Sequence, residues 1–390
     1  MRVLRVYHEG RDPAHRQRDR ALVQAGAELL LVAPRVWPGA DDVADDLVRI
    51  VGLPVMRQGD VNRHLYANAA VVGDLVQRFR PDVVDLHEEP FSSVVHQLLR
   101  VLPREQAVVG YTAQNVDKRF PPPFAQYERS ALRRLDGLYP CSAQAASVAV
   151  GKGFRGAVQV LPLAPAAAFS PGQQTPPVDE LRLLLVGRMV PEKGVRDAVR
   201  VLADAGPAAT LTLVGDGPEL GPARELAEQL GVADAVHTEA WAGAQALAEH
   251  YRRAHVVLVP STATQTWAEQ FGRVVVEAHA AGAVVVAYAS GALPDVVGTA
   301  GVLVGEGDAA AMSAAVAHLR RSPEQWAALR DAGLGAVVTW GDVAAGQLGL
   351  YEQALAVAAR RAGVRRGSPV RADRGGAVAR YGPTARLGGV

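Results

Sequence analysis

Short runs rich in β-branched residues alternate with helix-like stretches through almost the whole chain. Strands separated by helices of this length form βαβ units, in which the strands are parallel. The alternation therefore predicts an α/β protein built on parallel sheets. The predicted strands of the first half are 3–7, 28–33, 83–87, 107–111 and 158–162, and those of the second half are 181–187, 209–215, 235–238, 255–260, 284–288 and 302–304.

The segment 168–180 interrupts this alternation with Pro, Gly and Gln, which is typical of a linker. A chain of 390 residues is also too long for one ordinary core. We therefore expect two doubly wound, Rossmann-like domains that face a cleft, at 1–170 and 171–339. A helix at 340–363 is predicted to pack back across their junction. Ligands of such sheets bind outside the carboxyl ends of the strands, so the cleft is the predicted site.

The charge balance argues against a nucleic-acid partner, because Lys and Arg number 41 and Asp and Glu number 40. The exception is the carboxyl end, where residues 364–390 are rich in Arg, Gly and Pro and have no apolar periodicity. This segment is predicted to be a disordered basic tail. Such a tail either keeps the protein in solution or makes weak peripheral contact with an anionic membrane surface.

The single cysteine, Cys141, excludes an internal disulfide and fits a reducing compartment. The amino terminus lacks the apolar region of a signal peptide, and the longest apolar run is interrupted by Glu277 and His279. These features predict a cytoplasmic protein. No CxxC or HExxH motif and no Asp-x-Asp pair is present, so no metal or other cofactor is expected.

Two cations follow the first predicted strand of the second half, in the sequence LLLVGRMVPEKGV. Arg188 and Lys193 stand on the loop that leaves the strand, where a planar guanidinium and an ammonium suit a diphosphate. The alternative is a pair of solvated loop charges. A second loop, YASGALPDVVG, follows the strand 284–288, and its backbone N–H groups could bind phosphate or sugar hydroxyls.

Glu277 lies in an apolar helix that begins after Gly272 and ends at Gly282. A carboxylate is almost never buried without a partner, because desolvating it costs several kcal/mol. That partner is either a neighbouring cation such as Arg273 or a ligand, and a ribose diol suits a carboxylate well. Glu269, on the approach to this helix, is a second candidate for binding hydroxyls.

The segments GRMVPEKG, LVGDGPE, VVLVPS and EQFGRVVVEAHAAGAVVVAYASGALPDVV resemble the retaining glycosyltransferases of family 4, which have the GT-B fold. The resemblance covers about residues 1–359 and is more specific in the second half. It implies that Arg188 and Lys193 hold the diphosphate of a nucleotide-sugar donor and that Glu277 binds its ribose. Glu269 would contact the hydroxyls of the transferred sugar. The other donor-binding residues that it implies are Phe271, Gly272, Gly291, Ala292 and Leu293.

The first half departs from the family pattern. Many members carry a Gly-Gly loop after the first strand, whereas this chain has Gly10 alone, followed by basic residues that include Arg16. Where the family often has a His near the donor sugar, Gln114 or Asn115 stands here, and neither amide can act as a base. His87 and Glu88, at the end of a predicted strand, are further acceptor-site candidates. The alternatives are that His87 is a structural histidine and that the basic residues after Gly10 are a solvated helix start.

These observations favour the transfer of a sugar from a nucleotide-diphosphate sugar to an unknown acceptor hydroxyl, with retention of configuration and without a metal. The expected acceptors belong to the synthesis of cell-envelope glycans, glycolipids or natural-product glycosides, and a small thiol precursor is a further acceptor class left open. A nucleotide-sugar epimerase or isomerase of the same fold and a non-catalytic nucleotide-sugar-binding partner are the alternatives. Two carboxylates also occur in glycosidases, but paired cations favour a phosphorylated donor.

Overall fold

The computed structural model describes residues 1–40, 44–241 and 243–363. The predicted basic tail, 364–390, lies outside the described residues. Two parallel sheets organise this part of the chain, with helices on both faces of each. The predicted architecture of two doubly wound parallel sheets is confirmed. Within the described residues, no helix is long and apolar enough to cross a membrane.

The first sheet has seven strands in the order β3-β2-β1-β6-β7-β8-β9, all parallel. A short antiparallel hairpin, β4 and β5, stands beside it. The strands are β1 (Arg2–Val6), β2 (Glu28–Pro34), β3 (Arg49–Leu53), β4 (Val55–Met56), β5 (Leu65–Tyr66), β6 (Val83–Leu86), β7 (Ala107–Thr112), β8 (Gly137–Pro140) and β9 (Ala157–Val158). The helices are α1 (Gln17–Gln24), α2 (Ala70–Phe79), α3 (Ser93–Val101), α4 (Phe124–Arg134) and α5 (Ala143–Gly151).

The second sheet has six parallel strands in the order β12-β11-β10-β13-β14-β15. They are β10 (Leu181–Val186), β11 (Ala209–Val214), β12 (Val236–Glu239), β13 (Val256–Val259), β14 (Val284–Tyr288) and β15 (Gly301–Val304). The helices that follow are α6 (Val195–Ala205), α7 (Leu220–Gln229), α8 (Ala244–Arg253), α9 (Arg273–Ala281), α10 (Leu293–Val297), α11 (Ala309–Arg321), α12 (Pro323–Gly335) and α13 (Trp340–Gly363).

The central strands β13 and β14 are buried on both faces, which explains why they are apolar at nearly every position. On β10, Leu183 and Leu185 pack into one core with α6, α7, α11 and α12. Leu184 and Val186 point the other way, into a core with α8, α9 and α10. The chain order reverses at β1 in the first sheet and at β10 in the second. Such switch points are where doubly wound sheets bind ligands.

The last helix, α13, follows the second sheet in sequence but packs on the first. Val343, Leu350 and Tyr351 are buried in a core with Val3 and Val109. Helix α13 therefore completes the core of the first half.

All eleven predicted strands have a counterpart in the structure. The strand 284–288 has the predicted ends, the others are shifted at one or both ends, and the strand predicted at 158–162 overlaps β9 only at Val158. Strands β3, β8 and the hairpin strands were not predicted. β3 is an edge strand, and β8 is four residues long with Gly and Pro at its ends, so neither carries a strong β-branched pattern.

Candidate active site

Three loops of the second half converge at one edge of its sheet. They follow β10, β13 and β14, which are adjacent parallel strands whose carboxyl ends meet. The first loop carries Arg188 and Lys193, the second Glu269, and the third Gly291. Four candidate residues from three distant parts of the sequence are thus brought to one place.

Lys193 and Glu269 form a short ion pair between Nζ and Oε2. Both side chains are largely buried, and the ammonium also lies 5.3 Å from the centre of the Trp267 ring. Ser261 Oγ is 3.4 Å from the same carboxylate oxygen. The pair places a cation and a carboxylate within direct reach of each other, and groups of these two types can bind a charged, hydroxylated ligand.

Gly194 explains how Lys193 reaches this position. Its φ of 63° is in the left-handed region, and a Cβ there would lie 2.2 Å from the Pro260 carbonyl oxygen. Only glycine therefore lets the loop after β10 pack on the end of β13. Arg188 lies earlier on this loop, is exposed, and makes no ion pair with any of the described residues.

The loop after β14 packs against the backbone of Glu269. The Ala292 N–H donates to the Glu269 carbonyl at 2.9 Å, and the Leu293 N–H donates to Ser290 O at 3.0 Å. Gly291 has φ of 54°, and a Cβ there would lie 2.6 Å from the Glu269 carbonyl oxygen. The amides of Ala292 and Leu293 are therefore already used. In the described part of the chain, the Gly291 N–H has no acceptor and is the one of the three that is open to a ligand.

Glu277 has partners inside the protein. Tyr251 Oη donates to its Oε2 at 2.9 Å, and Arg273 Nη2 lies 3.4 Å from its Oε1. Burial raises the pKa of the Glu277 carboxyl, against the opposing effect of Arg273. The ion pair considered as an alternative to a ligand is present, but the Arg273 side chain is 64% exposed and holds Oε1 loosely. Tyr251 therefore holds Oε2 of Glu277, whereas Oε1 can exchange Arg273 for another partner.

The helix that carries Glu277 begins and ends as expected. Gly272 and Gly282 are both in the left-handed region, with φ of 83° and 78°. A Cβ on Gly272 would lie 2.8 Å from Leu293 Cδ2, and Phe271 is buried next to it. Gly272 and Phe271 therefore contribute to the site through packing and not through polar contacts.

The two amides of the first half are buried and already bonded. Asn115 Nδ2 donates to the Glu269 carbonyl at 2.7 Å and to Gln144 Oε1 at 3.2 Å. Gln114 Nε2 makes a short hydrogen bond to Val116 O. Asn115 thus links the two halves of the chain at the candidate site.

The acidic and imidazole groups after β6 differ in their surroundings. His87 is buried among Tyr7, Tyr111 and Tyr139, and Tyr139 Oη lies 2.8 Å from its Nδ1. Burial lowers the pKa of His87 well below its ordinary value, so the ring is neutral. Glu89 accepts from Thr112 Oγ1 and the Ala113 N–H, both at 2.8 Å, and burial raises its pKa to about 7. Glu88 is also buried and pairs with His8, which the sequence did not single out.

The loop after β1 is packed rather than open. Arg16 is fully buried; its Nε donates to Gly10 O at 2.8 Å and its Nη2 to Arg11 O at 2.5 Å. Gly10 is buried as well, and a Cβ there would lie 3.0 Å from Leu31 Cδ2. A ligand could reach the Arg16 guanidinium only after this loop rearranges.

Two doubly wound domains with two cations, two carboxylates and an unbonded backbone amide at the switch point of the second sheet are consistent with a sugar-transferring protein of the GT-B class. Comparison with known families gives the same result. Residues 168–334 match the family described as glycosyl transferases group 1, and residues 19–164 match a glycosyl transferase 4-like domain. The chain belongs to the GT-B glycosyltransferases of family 4.

Curated relatives share part of the chain. A D-inositol 3-phosphate glycosyltransferase of Acidothermus cellulolyticus is 36% identical over 195 residues, which is 46% of this chain and 42% of the relative. An MMP alpha-(1->4)-mannosyltransferase of Mycolicibacterium hassiacum is 34% identical over 175 residues, or 43% of this chain and 41% of the relative. The matches thus span less than half the length of these relatives.

Solved structures share the fold over nearly the whole chain. Sucrose-phosphate synthase from Thermosynechococcus elongatus superposes with a TM-score of 0.69 at 21% identity, over 91% of this chain and 99% of that one. Anabaena HepE, solved in complex with UDP, has a TM-score of 0.63 at 15% identity, over 94% of this chain and 100% of that one.

Proposed function

We propose that this protein transfers a sugar from a nucleotide-diphosphate sugar to an acceptor hydroxyl, with retention of configuration. The observation that carries the proposal is the Lys193–Glu269 pair, which lies on loops leaving adjacent strands with Arg188 on the same loop as Lys193. Anabaena HepE, which has a similar fold, was solved in complex with UDP, and this supports a nucleotide donor.

The donor diphosphate is assigned to Arg188 and Lys193. Departure of the nucleoside diphosphate from the anomeric carbon builds negative charge on its oxygens, and fixed cations stabilise that charge most where water is excluded. Lys193 must then share its ammonium between the phosphate and Glu269. Because two cations meet the charge of the leaving group, we propose that transfer is not accelerated by added Mg²⁺ or Mn²⁺.

The sugar and the ribose are assigned to the two carboxylates. Glu269 accepts hydroxyl hydrogens from the transferred sugar, and the open Gly291 N–H donates to the same moiety. Glu277 accepts from the ribose through Oε1, where the exposed Arg273 gives way. No residue of the 114–115 segment supplies a base, because both are amides, so the leaving phosphate is proposed to take the acceptor's proton.

The acceptor is proposed to be a hydroxyl compound of cell-envelope or natural-product glycoside synthesis. The relatives named for an inositol phosphate and for mannosyl transfer support this range without choosing within it.

The test is a panel of UDP-, GDP-, ADP- and dTDP-sugars, each assayed for binding and for slow hydrolysis. We expect one nucleoside diphosphate and its free sugar to be released. Glu269→Gln should keep nucleotide binding within about twofold and lower sugar release by about 100-fold, the usual range for one transition-state contact. Glu225→Gln, on the exposed face of α7, is the matched control and should leave both unchanged.

Three results would contradict the proposal. Binding of none of these donors by a folded sample would remove the donor site. Recovery of an epimerised nucleotide sugar, with no free sugar, would favour an epimerase. Full activity of Glu269→Gln would overturn the role of Glu269.

A further inference from the structure

A buried group of metal-binding side chains lies in the first half, outside the donor site. His8 follows β1, His64 precedes β5, and Glu88 follows β6. All three are buried, and one potential ligand atom from each lies within 4.8 Å of the other two. Across residues 1–40, 44–241 and 243–363, no other group of three His, Cys, Asp or Glu residues has this arrangement.

The hydrogen bond of His64 fixes which ring nitrogen carries the proton. Its Nδ1 lies 3.2 Å from the Asp60 carbonyl oxygen, which can only accept, so Nδ1 is the donor. Nε2 then presents a lone pair. This atom is buried, has no hydrogen-bond partner in the described part of the chain, and lies 3.9 Å from Glu88 Oε1. A lone pair and a carboxylate oxygen therefore face each other without a donor between them.

A metal ion can bridge this gap. Zinc binds imidazole nitrogen at about 2.0–2.1 Å and carboxylate oxygen at about 2.0–2.2 Å, so one ion reaches both atoms across 3.9 Å.

His8 supplies the third ligand from the other side of Glu88. Its Nδ1 lies 2.7 Å from Glu88 Oε2, and its backbone N–H donates to Oε1 at 2.8 Å. Without a metal, the proton between His8 and Glu88 holds them together, and a metal ion would replace that proton. Glu9 Oε1 lies 4.0 Å from the opposite ring nitrogen of His8, which is too long for a hydrogen bond.

Trp37 closes the site. Its ring centre is 4.9 Å from that of His8 and 5.1 Å from that of His64, and the side chain is buried. An apolar wall of this kind keeps water away and strengthens the attraction between a cation and Glu88.

We propose that His8, His64 and Glu88 bind a divalent transition-metal ion, with zinc as the first choice for two imidazoles and a carboxylate. The ion would tie the β4–β5 hairpin to the carboxyl edge of the first sheet. Its role is structural and separate from the donor diphosphate, so this proposal does not depend on the proposed function.

The test uses the full chain, stripped with a chelator and titrated with Zn²⁺ and Co²⁺. We expect one ion per chain by elemental analysis after desalting, a visible Co²⁺ spectrum of low coordination number, and a higher Tm with metal, because binding to the folded state alone stabilises it. His64→Gln should weaken binding at least tenfold. His237→Gln removes an exposed imidazole of β12 and should leave binding unchanged.

The Tm titration of the wild-type chain decides the question even if His64→Gln does not fold. A stripped wild-type chain that takes up neither ion would overturn the proposal and leave His8–Glu88 as a plain ion pair. Equal binding by the wild-type and His64→Gln chains would place any bound metal elsewhere and would overturn it too.

Discussion

At the scale of single residues, Glu89 should make stability depend on pH. Burial raises its pKa from 4.5 to about 7. Between these values the folded chain keeps a proton that the unfolded chain loses, so the free energy of unfolding falls as pH rises through this window. In Glu89→Gln the amide oxygen can accept from the Ala113 N–H and the amide NH2 can donate to Thr112 Oγ1, but the side chain cannot titrate. We expect the free energy of unfolding of the variant, relative to wild type, to increase by roughly 2 kcal/mol from pH 5 to pH 8.

Urea unfolding at several pH values measures this difference, and other titrating groups cancel because both chains contain them. Glu352→Gln, on the exposed side of α13, is the control and should follow the wild-type pH profile. A difference between Glu89→Gln and wild type that stays constant from pH 5 to pH 8 would show that Glu89 is ionised throughout.

The sequence could predict that certain residues need partners but not which partners they find. The apolar helix around Glu277 requires a counterpart for the carboxylate, and Arg273, four residues away, could be proposed from helix geometry. Tyr251 could not, because only the packing of α8 on α9 brings its hydroxyl there. His8 and His64 went unnoticed for the same reason, since no spacing rule joins them to Glu88.

At the scale of elements, the buried carboxylate of Asp85 on β6 connects α13 to the first sheet. Asp85 Oδ2 accepts from Tyr351 Oη at 2.6 Å and from Gln347 Nε2 at 2.8 Å, both on α13, and from Arg5 Nη1 at 2.8 Å. Hydrogen bonds to a charged group contribute about 1.5–3 kcal/mol. Tyr351→Phe should therefore lower the free energy of unfolding by about 2 kcal/mol, measured by urea unfolding.

Tyr127→Phe provides the comparison. This tyrosine lies on α4, and its hydroxyl makes no hydrogen bond with the described residues, so its loss should change stability by less than about 0.5 kcal/mol. Equal effects of the two substitutions would mean that the Asp85 network adds nothing specific to the docking of α13.

The predicted strands and helices agree with the structure where the local sequence pattern is strong. Strands β10, β13 and β14 are largely apolar runs between turn residues. Gly272 and Gly282 lie at the two ends of α9, where both adopt the left-handed backbone conformation that glycine favours. Strand β8 is different: it is held by β7 and β9 on either side, and its own four residues carry too little pattern to reveal it. Pairing with neighbours, rather than propensity, makes this segment a strand.

At the scale of the whole molecule, the two domains meet where the chemistry is proposed to occur. The first domain contributes Asn115, whose Nδ2 donates to the backbone carbonyl of Glu269. The Cys141 thiol lies 3.6 Å from the next carbonyl, that of Gln270. The position of Glu269 therefore depends on how the domains are joined, and this dependence was invisible in a sequence that separates the residues by 154 positions.

This contact leads to a test of domain coupling. Asn115→Asp has the same size but replaces the donating amide with a carboxylate that faces two carbonyl oxygens, those of Glu269 and the Gln144 side chain. Both hydrogen bonds are lost, and repulsion moves the Glu269 loop. We expect kcat/KM for the proposed transfer to fall about tenfold or more, which corresponds to about 1.4 kcal/mol, the size of one lost hydrogen bond. Nucleotide binding should change less than about twofold, because Arg188, Lys193 and Glu277 are untouched.

Gln144→Ala separates the two bonds of Asn115, since it removes the exposed acceptor and keeps the contact with Glu269. Its kcat/KM should stay within about twofold of wild type. If both variants lose activity equally, the contribution of Asn115 lies within the first domain. If Asn115→Asp weakens nucleotide binding as much as it slows transfer, the domains position the donor itself. Only a selective loss of transfer places the effect on the position of Glu269, through the hydrogen bond from Asn115 to its backbone carbonyl.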